Sequence, residues 1–264
     1  MSHIRSGDSL SVEAALKELA QTAKKYDHGT FEFPFGCLDY VDPVTLNIEY
    51  LEIFRDGIYD FATDSVEPYI IDCGANIGLS VIRTKLCHPE SRILAFEADP
   101  HICDVLQANI ARLGLQGIDV ICAAVSDTDG SAMFFTEGSE GGRLTAAGNI
   151  RVPTVRLSQY LDRTIDMLKI DIEGSEWEVL LEIVNTGALD NVMRIIIEFH
   201  GRRQNAATLA VIISGLVANG FCMTFPWSFC EPGLAGPREQ TPFRYATDGK
   251  FIMFLHAWKE TTHP

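Results

Sequence analysis

What the chain lacks narrows what it can be. No apolar run approaches the ~20 residues of a membrane-spanning helix. The longest, LAVIISGLVA from Leu209, predicts a buried helix instead. The opening MSHIRSGDSL has no apolar h-region, so no signal peptide is expected. Basic residues are scarce: 21 Lys and Arg stand against 36 Asp and Glu, a formal net charge of −15. Nucleic acid and anionic membrane both require a cationic face, so neither is expected as a partner. No C-x-x-C pair occurs among the seven cysteines, an odd number. That predicts reduced thiols in a cytoplasmic protein, with neither a zinc site nor a disulfide framework. Internal repeats and low-complexity segments are absent as well.

What is present is enough for one large α/β domain: 264 residues, 47% of them hydrophobic. The chain is organised around Tyr69 to Ser80, YIIDCGANIGLS. Tyr69, Ile70 and Ile71 predict the end of a buried strand, Asp72 its stop, Gly74 and Gly78 a tight turn, and Leu79 the start of a helix. Strand, glycine turn and helix form the first half of a βαβ unit. Such a turn lets a ligand approach the backbone, and the helix start offers it unpaired N–H groups. A nucleotide-like cofactor over the carboxyl end of the strand is the expectation. The spacing is G-x-x-x-G, not the dinucleotide fingerprint G-x-G-x-x-G. An acid two residues before the first glycine is better placed for an amine-bearing group than for a phosphate.

Ahead of this motif, residues 1–68 read as an extension covering the active site of a domain that spans 69–264. Val12, Ala15, Leu16, Leu19 and Ala20 give Ser11 to Lys25 a helical face. FEFPFGCLDYVDP predicts short strands. IEYLEIFRDGIYDF gathers Ile48, Leu51, Phe54, Ile58, Tyr59 and Phe61 into an amphipathic stretch able to cover a pocket or cap a sheet edge. After the motif come the strand RILAFE, a helix begun by Asp99 and Pro100, and the strand IDVICAAV. SAMFF and Arg151 to Leu157 predict further strands, with a brief helix QYLDR after them. Thr136 to Asn149, rich in glycine and without period, predicts a mobile loop beside the site, a candidate lid. IDMLKIDIEG and MRIIIEFHG are the next strands. A helix over Ala206–Asn219, a strand FCMTF, a Pro/Gly-rich loop from Pro226 and a closing strand KFIMFLHAW complete the chain.

Three sites align with the Asp72 turn, each at the carboxyl end of a strand, where open α/β sheets bind ligands. Glu97 can accept two hydrogen bonds from a ribose diol. Lys169, Asp171 and Glu173 put charge at alternate positions of a strand expected to be buried on both faces, and buried charge needs a partner. Glu198 and His200 end the run IIIEFH. Either His200 acts as general base on the acceptor, or Asp171 and Glu198 share a divalent cation, Mg2+ or another, that lowers the acceptor's pKa. The second is favoured, because neighbouring carboxylates repel unless a cation lies between them.

YIIDCGANIG, FEADP, AAVSD, KIDIEGSEWEVL and IIIEFHG, in this order and spacing, resemble the FkbM family of S-adenosylmethionine-dependent methyltransferases. The resemblance spans Tyr69 to Gly201, about half of the chain. It implies a Rossmann-like class I fold: a seven-stranded, mostly parallel sheet with helices on both faces, the last strand antiparallel between the fifth and sixth. It implies O-methylation of a small-molecule hydroxyl, on a sugar, polyketide or other secondary metabolite, in biosynthesis. By it, Asp72, Gly74, Asn76 and Gly78 cradle the methionine portion of S-adenosyl-L-methionine, Glu97 holds the ribose and Ala124 borders the adenine. Asp171 is expected at both the cofactor and the chemistry. Trp177, where the family carries a smaller residue, is expected to pack. Two rivals of other classes are an NAD-dependent oxidoreductase, disfavoured by the missing G-x-G-x-x-G, and a non-catalytic module that keeps the cofactor pocket. The acceptor's identity and the oligomeric state, a homo-oligomer included, are not set by the sequence.

Overall fold

The computed structural model describes residues 6–226, 228–229 and 250–260. Helix α1 (Ser6–Thr22) precedes a hairpin of β1 (Gly29–Phe33) and β2 (Gly36–Tyr40), then helix α2 (Pro43–Tyr50). The start of α2 is fixed by Asp42, whose carboxylate accepts from Val44 N and Thr45 N at 2.8 and 2.9 Å, with Pro43 as the first helical residue. A π-helical turn, Leu51–Arg55, continues α2. Buried Val12, Leu16, Phe33, Tyr50 and Ile53 share one cluster with Ile77, Leu79 and Ile102 of the segment that follows.

The main sheet contains β3 (Tyr69–Cys73), β4 (Arg92–Glu97), β5 (Ile118–Cys122), β10 (Met167–Ile170), β11 (Arg194–Arg202), β12 (Phe221–Thr224) and β14 (Lys250–Lys259), with β13 (Ser228–Phe229) paired to β14. Its order is β12-β14-β11-β10-β3-β4-β5, with β14 antiparallel to both of its path neighbours and the β11-to-β5 pairs parallel. This is the class I methyltransferase arrangement the resemblance implies. Central strands such as YIIDC and MLKI are buried on both faces because α3 (Leu79–Cys87), α4 (Pro100–Arg112), α5 (Glu176–Thr186) and α6 (Ala206–Ala218) belong to crossovers that cover both. Asp99 caps α4 by accepting from His101 N at 2.9 Å. Trp177 packs in the main core, 4.6 Å between ring centroids from Phe199.

Several expectations need correction. The expected third strand is two: β5 stops at Cys122, and β6 (Ala124–Ser126) leaves for a separate four-stranded sheet with β7 (Gly130–Phe135), β8 (Arg143–Leu144) and β9 (Ile150–Arg156). The brief helix expected over QYLDR is instead a 3-10 turn over Leu157–Tyr160 that ends before Leu161. The glycine-rich stretch 136–149 is built into this second sheet through β8. Thr136 and Asn149 also bond each other across its base, at 2.9 and 3.0 Å. Cys103 of α4 and Cys122 of β5 form a disulfide, Cα atoms 5.8 Å apart, contrary to the expectation of reduced thiols throughout. Packing of α4 on β5 joins cysteines 19 residues apart, a pairing that isolated cysteines do not announce by spacing. The loop from Pro226 lies largely outside the described residues. Among the described residues no helix is long and apolar enough to cross a membrane.

Candidate active site

The β3–α3 turn is shaped by what lies beneath it. Gly74 has φ +87°, and a Cβ there would overlap the Asp171 carbonyl oxygen, so only glycine fits where β3 meets β10. Asn76 also adopts a left-handed conformation, φ 46°, which asparagine tolerates. Its N–H donates to Glu97 Oε2 at 2.9 Å, and Asp99 N donates to Glu97 Oε1 at 2.8 Å. These residues line a cavity of about 470 Å3. Ala123, Ala124 and Val125 line it where the chain passes from β5 to β6.

The other side of the cavity gathers Asp171, Glu173, Glu198 and His200. Register explains this: β10 and β11 pair as far as Ile170 with Ile197, so Asp171, Glu198 and His200 lie just beyond the last parallel partners. One ligand atom from each of Asp171, Glu198 and His200 lies within 4.8 Å of the others. Glu176, fully buried, orients the histidine: its Oε1 is 3.1 Å from His200 Nδ1, and its carboxylate also accepts Ile172 N and Gly174 N. Glu173 stands at φ 55°, uncommon for a glutamate and of the kind that strained sites hold. The Tyr59 hydroxyl, from the segment before β3, donates to Asp171 Oδ2 at 3.0 Å.

Two expected cofactor residues are not at the cavity wall. Asp72 is 3% exposed, and its carboxylate is taken by the Ser80 hydroxyl and by Lys169 Nζ at 3.1 Å. The amine-bearing group it meets is the protein's own lysine. Gly78, φ +102°, starts α3 against Leu106 and also stands behind the wall. Both therefore shape the turn from below. Gly74, Asn76, Glu97, Ala124, Asp171, Glu198 and His200 do reach the cavity.

A model of the methyltransferase FkbM domain matches residues 72–221. The chain belongs to that family. Methyltransferase sdnD of Sordaria araneosa is 33% identical over 172 residues, 50% of this chain and 66% of that protein. Methyltransferase 1 of Beauveria bassiana is 26% identical over 204 residues, 64% and 82% of the two chains. The 2-O-methyltransferase NoeI of Sinorhizobium fredii is 25% identical over 139 residues, 43% and 56%. The match to the first of these spans just under two thirds of its length.

Electrostatics of the site bear on one expected role. Burial alone would lower the His200 pKa, but the Glu176 hydrogen bond and the Glu173 carboxylate outweigh it and raise it to about 11. A raised pKa favours the imidazolium form, which opposes a general-base role for His200 in the metal-free site. Burial raises Glu173 to about 8 and, with Asp171 beside it, pushes Glu198 well above the usual carboxylate range. Glu97 rises to about 7, chiefly by burial, with the Asp99 and Asn76 N–H groups opposing.

Sequence reasoning did not single out Glu49 and Glu52, which line the cavity with Ile48 and Ile53, or Ser139 and Glu140 of the glycine-rich stretch. Residues 48, 49, 52 and 53 share a helical face that mixes acids with isoleucines. An acid interrupting an apolar stripe was the available signal. The Ser139 hydroxyl is 2.6 Å from that of Thr45, and Glu137 accepts from Tyr26 and Lys25 at 2.6 and 2.8 Å. These bonds tie the stretch to the segment before β3.

Proposed function

We propose that this methyltransferase uses S-adenosyl-L-methionine to methylate a hydroxyl of a small molecule, such as a sugar, polyketide or other secondary metabolite. The observation that carries the reading is one cavity with two unlike ends. Glu97, a carboxylate on the cavity wall held in place by the Asn76 and Asp99 N–H groups, suits a ribose diol, and Ala123 to Val125 offer an apolar wall for adenine. The Asp171, Glu198 and His200 cluster stands opposite. The relation to NoeI, by name a 2-O-methyltransferase, supports a hydroxyl acceptor.

The cofactor supplies, when bound, an electrophilic sulfonium methyl group. Its residues would be Gly74, Asn76, Glu97 and Ala124. Asp171 and Glu198 bind and orient the acceptor hydroxyl, and its proton passes to the Asp171, Glu198 and His200 cluster. Tyr59 holds Asp171 through its hydroxyl, and Glu176 fixes the His200 ring. Asp171, Glu198 and His200 also fit a divalent cation: two carboxylates and an imidazole converge, and Glu176 orients the ring through its other nitrogen. Such an ion would supply Lewis-acid activation of the hydroxyl. Labelled methyl donor offered with a panel of hydroxyl, amine and carbon acceptors tests the reading. Label on oxygen is expected, and label only on nitrogen or carbon refutes it. Glu97→Ala should weaken S-adenosylhomocysteine binding by about 1–3 kcal/mol by calorimetry.

A further inference from the structure

Asp72, the acid expected to meet an amine, is paired with Lys169, bonded by Ser80 and absent from the cavity wall, so the cofactor's amino-acid arm needs another anion. Its position follows from Asn76. That residue's backbone N–H holds Glu97, while its Nδ2 donates to Glu49 Oε1. One residue therefore joins the ribose acid on β4 to an acid on α2. A ligand seated on Glu97 and running over the Gly74–Asn76 turn meets Glu49 next. Two features at this point call for a donor. Asn76 Oδ1 is buried with no hydrogen-bond partner in the protein. Glu49 lines the cavity with no lysine or arginine paired to it among the described residues. Among the described residues, the Glu49 carboxylate has only the Asn76 amide as a side-chain donor, and the Asn76 oxygen beside it has none. An ammonium group, with three donors and positive charge, satisfies both.

We infer that Glu49, with Asn76 Oδ1, receives the α-ammonium of the cofactor's amino-acid arm. This rests on the S-adenosylmethionine reading above and adds to it a binding residue from outside the matched 72–221 region. The helix that carries Glu49 is rigid enough for the task. Asp42 caps its start, and Tyr50, 1% exposed, stacks on Phe33 and Phe54 at its end. Burial, with Glu140 adding to it, pushes the Glu49 carboxyl well above its ordinary value, the mark of an anion short of positive charge.

The test compares two ligands by calorimetry on the full chain: S-adenosylhomocysteine, and 5′-methylthioadenosine, which shares the nucleoside and sulfur but has no amino-acid arm. Glu49→Gln keeps the side chain's size and an oxygen for Asn76. It is expected to weaken S-adenosylhomocysteine by roughly 10- to 100-fold, the range for a hydrogen bond to a charged group. The affinity of 5′-methylthioadenosine should stay within about twofold. Glu49→Asp, which keeps the charge on a shorter arm, should fall between. Equal loss for both ligands would assign Glu49 a merely structural role and overturn the inference. Unchanged affinity for both, with a raised acceptor KM, would move Glu49 to the acceptor and overturn it too. If neither ligand binds the wild-type chain, the cofactor reading fails first and takes this one with it.

Discussion

Lys169 sits in the middle strand of the sheet with its side chain 6% exposed, and its replacement is the sharpest test of how the site is held together. Its ammonium donates to the Gly74 carbonyl at 2.8 Å and pairs with Asp72 at 3.1 Å and Asp171 at 3.6 Å. Burial acts to lower its pKa, but the Asp72 and Asp171 carboxylates more than offset that and hold it above the ordinary lysine value. Lys169→Met keeps the stem and removes the charge. It strands Asp72, which is 3% exposed and has no route to water. Removing one partner of a buried pair costs about 3–5 kcal/mol. For a chain of this size that is a fall in Tm of about 10 °C. The assay is urea unfolding, where the midpoint should fall while the slope stays constant. Adding Asp72→Asn removes the stranded charge and should restore about 1–3 kcal/mol of the loss. A Lys169→Met protein within about 1 kcal/mol of wild type, well short of the roughly 3–5 kcal/mol expected for a broken buried pair, would refute the reasoning. So would a double variant no more stable than the single.

Gly74→Ala should cost about 2 kcal/mol or more in urea unfolding and abolish activity, because its Cβ must displace the Asp171 carbonyl at a left-handed φ; a stable, active variant would contradict that close approach. His200, raised from 6.5 to about 11 on folding, stabilises the folded state as imidazolium. That contribution is complete below pH 6.5 and is lost as pH rises through about 11. In chelator, ring resonances should show no titration between pH 5.5 and 9, a window around histidine's ordinary value of about 6.5; a midpoint near 6.5 would reinstate His200 as a base. EDTA should suppress turnover, and Mg2+ or Mn2+ restore it, if Asp171, Glu198 and His200 hold a cation. Full activity in chelator would leave the carboxylates to act alone.

Most strands were legible because they are written in local signals, whereas their order in the sheet came from the family resemblance. The apolar runs of β3, β10 and β11 mark buried parallel strands, and Asp99-Pro100 marks a helix start by its own cap. The cavity was half legible for the same reason: Glu97, Asp171, Glu198 and His200 follow strand ends, and strand ends are visible in sequence. What stayed hidden depends on contacts between distant segments. Cys103 and Cys122 meet only once α4 packs on β5. Asp72 appears free until Lys169, 97 residues later, is laid beside it by the β3–β10 register. His200 keeps its expected place, but its protonation is set with Glu176 on α5, the helix before its own strand, which sequence position does not reveal. Position at a strand end therefore identifies a residue that can reach ligand, while its protonation state and its freedom to react are set by neighbours that only the fold supplies. Glu49 shows the converse. No strand end or glycine turn marks it, yet the partner it finds in Asn76 brings it to the centre of the motif around which the whole chain is arranged.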